Sequence, residues 1–89
     1  MPVARLQIVN QKGLHARASA RLVETVERFD ATAMIRKDGL DASGDSIMGL
    51  LMLAASRGTF IEVETRGPAA DALLQAISDL VAGRFGEDS

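Results

Sequence analysis

The chain contains no cysteine, tryptophan or tyrosine, and only one histidine. Without cysteine there can be no disulfide, thiolate nucleophile or sulfur-ligated metal, and the composition fits a reducing compartment, so a cytoplasmic location is expected. A lone histidine without clustered carboxylates is not a complete ligand set, so neither a metal site nor a cofactor is expected. No nucleophile elbow is present, which leaves a serine hydrolase site unsupported. The aromatic residues are three phenylalanines, the net charge is -2, and the arginines are scattered without a basic run. These features exclude the usual nucleic-acid platform. The longest strongly apolar run, Ile47 to Ala55, is far too short to span a bilayer. Residues 1–12 alternate in polarity, unlike an apolar leader, so no membrane association is expected.

What remains is an ordinary globular composition, 47% apolar and 25% charged in 89 residues. That length suits a single domain over residues 1–89, burying about 60–65% of its unfolded surface. Residues 3–9 alternate as a half-buried strand, with Ala4, Leu6 and Ile8 on one face. A polar turn ending in Gly13 follows. From Ala16 to Phe29 the period becomes helical, with Ala18, Leu22, Val26 and Phe29 in one stripe. Residues 31–37 and 40–43 form two strands around Asp38-Gly39, a hairpin signal. Ser46 begins a short helix through about Leu53, and Phe60–Arg66 alternates again. Pro68 is expected at the first position of a last helix, and the tail Gly86–Ser89 is expected to fray. The order βαββαβα implies an α+β fold with an antiparallel sheet and helices on one face.

The chemistry concentrates at Gly13-Leu14-His15-Ala16-Arg17-Ala18-Ser19. His15 stands where the helical pattern begins, and no serine, threonine, aspartate or asparagine occupies the N-cap. The first backbone N–H groups therefore lack their usual side-chain acceptor. A phosphoryl carrier needs a nucleophile that is largely neutral near pH 7, as an ordinary imidazole is. It also needs donors for the incoming negative charge. The N–H groups of Ala16 and Arg17 and the Arg17 guanidinium are such donors. Each contributes about 0.3–1 kcal/mol at an exposed helix end, enough to hold a phosphate without trapping it. A plain exposed histidine at a helix start accounts for the same residues equally well.

Two stretches together carry a resemblance to a known family. Gly13-Leu14-His15-Ala16-Arg17, followed by Ser46-Ile47-Met48-Gly49-Leu50-Leu51-Met52-Leu53, resembles HPr, the histidine-containing phosphocarrier of the bacterial phosphotransferase system. The match in length, element order and motif placement extends over essentially the whole chain. It implies an open-faced β-sandwich, with a four-stranded antiparallel sheet and three helices on one face. It also implies phosphorylation of His15 on Nδ1 by phosphorylated enzyme I, with phosphoenolpyruvate as the source, and onward transfer to an enzyme IIA domain. Arg17 would stabilise the phosphate, and Ser46 would be the target of a regulatory kinase, the HPr serine kinase/phosphorylase. The carrier would be a monomer and a stoichiometric intermediate, not an enzyme acting alone. Two departures are visible. Ala18 stands where the family usually has proline, and Glu24, Glu27 and Gly49 occupy surfaces where sugar-transport members often carry lysine. The second departure opens the nitrogen-related branch of the system, because charge complementarity controls partner choice.

Ser46 has a simpler role available as an N-cap, worth about 1 kcal/mol; a phosphate at a helix N-terminus is compatible with it. The short helix it opens is nearly all apolar. Leu50 and Leu53 can face the sheet, leaving Ile47, Met48, Leu51 and Met52 as a partner-docking patch. The alternative to a carrier is a regulatory protein-binding module whose phosphorylation state controls a kinase or transcription regulator.

Overall fold

A computed structural model describes residues 2–89. The elements follow the expected order: β1 (Val3–Gln7), α1 (Ala16–Glu27), β2 (Thr32–Lys37), β3 (Leu40–Ser43), α2 (Ile47–Met52), β4 (Phe60–Arg66) and α3 (Ala70–Ala82), closed by a 3-10 turn over Arg84–Gly86. The strands form one antiparallel sheet in the order β1-β4-β2-β3. The β2–β3 hairpin turns on Asp38 and Gly39, both with positive φ (52° and 82°), as a two-residue primed turn requires.

Alternation sends Ala33, Ile35, Ile61 and Val63 to one face of the sheet, where they meet Leu22, Val26, Leu50, Leu73 and Ile77 from the helices. The other face is open to solvent. The register aligns Arg5, Glu62, Arg36 and Asp41 in a row across all four strands. Arg36 reaches Glu62 at 3.2 Å and Glu64 at 2.9 Å, and Arg66 reaches Glu64 at 3.2 Å. Glu64 thus lies on the open face but is buried beneath two guanidinium groups. The hydrogen bond from Arg36 holds its carboxyl below the usual range, against the opposing effect of desolvation, with Arg66 adding to it.

A depressed carboxylate stabilises the fold above the unfolded value, near 4.5, and that stabilisation is lost as pH falls through the folded value. The thermal midpoint is therefore expected to drop below about pH 4.5. Glu64→Gln should flatten that slope. Melts recorded between neutral pH and pH 3 check this, and an unchanged slope in the variant would assign the acid sensitivity elsewhere.

Three local expectations need correction. The first strand ends at Gln7, because Ile8 leaves the ladder to pair with the turn at Gly58–Thr59. The last helix begins at Ala70, two residues beyond Pro68. Ala69 is non-helical (φ -103°, ψ 26°), and its N–H bonds the carbonyl of Asp30, which ties this turn to the end of the α1 loop. The tail does not fray. Phe85 is fully buried, and Arg84, Phe85 and Gly86 all have positive φ (58°, 54° and 79°), which turns the chain back over α1. The Arg21 guanidinium donates to the Phe85 carbonyl. Left-handed backbone at two non-glycine residues costs about 1–2 kcal/mol each, a cost that burial of one phenylalanine offsets in part.

Candidate functional site

The corner around His15 is set by the turn that precedes it. Gly13 adopts φ +66°, and Leu14, buried behind it, donates its N–H to the Ala55 carbonyl at 2.8 Å. This bond joins the loop before α1 to the segment after α2. Asn10 is fully buried, and its amide donates to the Gly13 carbonyl at 2.8 Å. His15 is the N-cap residue, extended (φ -75°, ψ -177°), and makes no side-chain cap bond. Its carbonyl accepts from Ser19 N–H at 2.8 Å, the first helical bond. The N–H groups of Ala16, Arg17 and Ala18 therefore point out of the helix end without intrahelical partners.

The helix starts at Ala16. Ala18 is fully buried at the third helical position, and alanine favours the helix conformation there. Arg17 is exposed beside His15. It shares a shallow depression with Lys12, Arg21, Gly86, Glu87, Asp88 and Ser89, so three cationic and two acidic side chains lie together beside the corner.

The sequence did not point to Asn10 and Glu87. The folded-back tail brings the Glu87 carboxylate onto the imidazole, with Oε2 2.5 Å from His15 Nε2. Its other oxygen, Oε1, accepts from the Asn10 amide at 3.0 Å. Burial works against ionisation of Glu87, but the hydrogen bonds from Asn10 and His15 outweigh it and hold the carboxyl below its usual range. The imidazole is partly exposed, 27% of its side-chain surface, and Nδ1 has no hydrogen-bond partner among the described residues. The tail's polarity hid this contact. The one available signal was Phe85, spaced to extend the apolar stripe of Ile77 and Val81.

Ser46 caps α2, accepting from Gly49 N–H at 3.0 Å. Leu50 and Leu53 face the core, while Met48 and Met52 are about three-quarters exposed and Ile47 and Leu51 over a third. The expected division of that helix therefore holds. Its C-terminal end meets the His15 loop through the Leu14–Ala55 bond. Ser46 sits at its other end, roughly 9 Å of helix away, outside the His15 corner. No group of histidine and carboxylate side chains that could hold a metal occurs among the described residues. No helix among them is long and apolar enough to cross a membrane.

The structure is a four-stranded antiparallel sheet covered by helices on one face, with a histidine at a helix start that lacks a side-chain cap. The family described as PTS HPr component phosphorylation site matches residues 3–83. The chain is 44% identical over 82 residues to the phosphocarrier protein HPr of Neisseria meningitidis serogroup A, covering 92% of each chain. It is 39% identical over 84 residues to the phosphocarrier protein NPr of Escherichia coli K12, covering 93% of each. The crystal structure of HPr-C-His from Thermoanaerobacter tengcongensis superposes with a TM-score of 0.94 at 31% identity, over the whole of both chains. The chain belongs to the HPr family of phosphocarriers of the phosphotransferase system.

Proposed function

We propose that the chain relays a phosphoryl group through His15, accepting it from phosphorylated enzyme I, charged by phosphoenolpyruvate, and passing it to an enzyme IIA-type acceptor. The observation that carries this reading is the unpartnered Nδ1 at an uncapped helix start with Arg17 beside it. The Nδ1 lone pair attacks phosphorus in line, an N–P bond forms, and the bond to the donor breaks with its electron pair left on the donor. The transferred group then carries roughly two negative charges. The N–H groups of Ala16 and Arg17 receive part of that charge, and the Arg17 guanidinium adds a charge-assisted bond. No metal or cofactor takes part. The chain acts as a stoichiometric intermediate in the cytoplasm, as a monomer.

Ile47, Met48, Leu51 and Met52 form the docking face for successive partners, since an adaptable thioether surface suits several contacts in turn. Ser46 is a second, regulatory phosphorylation position for a serine kinase. Charge added there would sit at the start of the docking helix and act on partner binding while leaving the fold intact. Similarity to NPr, with Glu24 and Glu27 exposed on α1, favours a second reading, in which the acceptor belongs to the nitrogen-related branch and the output is regulatory.

The test is incubation with radiolabelled phosphoenolpyruvate and enzyme I. One acid-labile, base-stable phosphate per chain is expected. An unlabelled chain, or an acid-stable label, contradicts the reading. Chasing the labelled chain with transport and nitrogen-related acceptor domains separates the two branches.

A further inference from the structure

The contact between tail and imidazole goes beyond the relay itself. We propose that Glu87 is a positioning residue for His15: its carboxylate accepts the Nε2–H and so presents Nδ1 as the unprotonated, attacking nitrogen. This rests on the phosphocarrier reading above.

The two ring nitrogens of a neutral imidazole differ, and the hydrogen bond made by one decides which carries the proton. Glu87 Oε2 lies 2.5 Å from Nε2, and an ionised carboxylate only accepts. Nε2 must then be the protonated nitrogen, leaving the Nδ1 lone pair free. When Nδ1 attacks, no proton has to leave it, and Nε2 keeps its own proton on Glu87. The positive charge that develops on the phosphorylated ring is met by that carboxylate.

The carboxylate is itself held on both sides. Asn10, fully buried, donates to Oε1 at 3.0 Å and to the Gly13 carbonyl at 2.8 Å, so the tail and the turn before His15 share one amide. Behind Glu87, buried Phe85 and the Arg21 bond to its carbonyl anchor the tail to the body of the protein. A freely moving terminus would not hold the ring in this way.

The isosteric variant Glu87→Gln separates positioning from packing. A carboxylate accepts from Asn10 and from His15 at once, whereas an amide has one oxygen and satisfies only one of these donors. Glu87→Ala removes both bonds. The protein is labelled with 15N and its imidazole is observed in long-range 1H–15N spectra of the unphosphorylated chain, at a pH where the ring is neutral. The wild type is expected to show protonated Nε2 and unprotonated Nδ1. Both variants should gain Nδ1–H signal while remaining folded, with a thermal midpoint somewhat below the wild type's, more so for Glu87→Ala, because the Asn10 and His15 bonds to the carboxylate also hold the tail.

Transfer from saturating phosphorylated enzyme I should slow roughly tenfold in both variants, the lower end of what loss of a hydrogen bond to a charged group costs. The half-saturating enzyme I concentration should change little. An unchanged tautomer with unchanged transfer overturns the proposal. So does faster transfer, which would make Glu87 a shield that repels incoming phosphate. A wild-type chain that takes no phosphate on His15 would contradict the relay instead, because the spectra are read without phosphorylation.

Discussion

His15→Ala is expected to take up no acid-labile phosphate, a loss of more than about 10³-fold in transfer, as for removal of an attacking group. No other side chain can substitute. The chain has no second histidine and no cysteine; Lys12, Arg17 and Arg21 are cations without a free lone pair for attack, and an acyl phosphate on Glu87 or Asp88 would be lost in base. The same variant should fold normally. His15 caps the helix with its backbone and makes no side-chain cap bond, so truncation to alanine opens no core cavity. Phosphorylation assays paired with thermal melts check both halves. Residual acid-labile label in the variant would mean that the site lies elsewhere.

Gly13→Ala is expected to destabilise the fold by at least about 2–3 kcal/mol, lowering the thermal midpoint by roughly 10–20 °C for a chain of this size. Two effects combine. Gly13 has φ +66°, and a Cβ there would run into the Ala55 carbonyl oxygen and lie 2.9 Å from Ser56 Cα. Both are backbone atoms, so no side-chain movement relieves the contact. The displaced carbonyl is the one that receives the Leu14 N–H, hence the loop before α1 would separate from the segment after α2. Gly58 provides the control. Its φ is +88°, but a methyl group there would meet nothing within 4 Å. Gly58→Ala should therefore cost only the left-handed backbone penalty, about 1–2 kcal/mol. Equal losses at both positions would show that the clash at Ala55 is relieved in solution.

The elements were largely legible because hydrophobic period reports burial directly. Alternation over Phe60–Arg66 and the spacing of Ala18, Leu22 and Val26 each specify one buried face, and the structure uses those faces. Ser46 was readable as a cap because capping is local chemistry over three residues. The missed features all depend on contacts distant in sequence. Pro68 reads as a helix start until the bond from Ala69 to Asp30 is known. Glu64 reads as an exposed strand residue until Arg36 and Arg66 are seen to cover it.

The site divides in the same way. His15, Ala16 and Arg17 are neighbours in sequence, and their grouping at a helix start follows from the local pattern. Asn10 and Glu87 are 77 residues apart, and nothing in a polar tail announces that it will fold back. Phe85 is the physical reason that it does, since a buried aromatic ring fixes the position of the residues that follow it.

The central claim is that the helix start presents His15 Nδ1 as the nitrogen that takes the phosphoryl group. It is tested most directly by phosphorylating 15N-labelled protein with phosphoenolpyruvate and enzyme I and recording the imidazole resonances with 31P coupling. Phosphorus coupled to Nδ1 of His15, with Nε2 still protonated, is the result expected. Phosphorus on Nε2, or on any other residue, would contradict it.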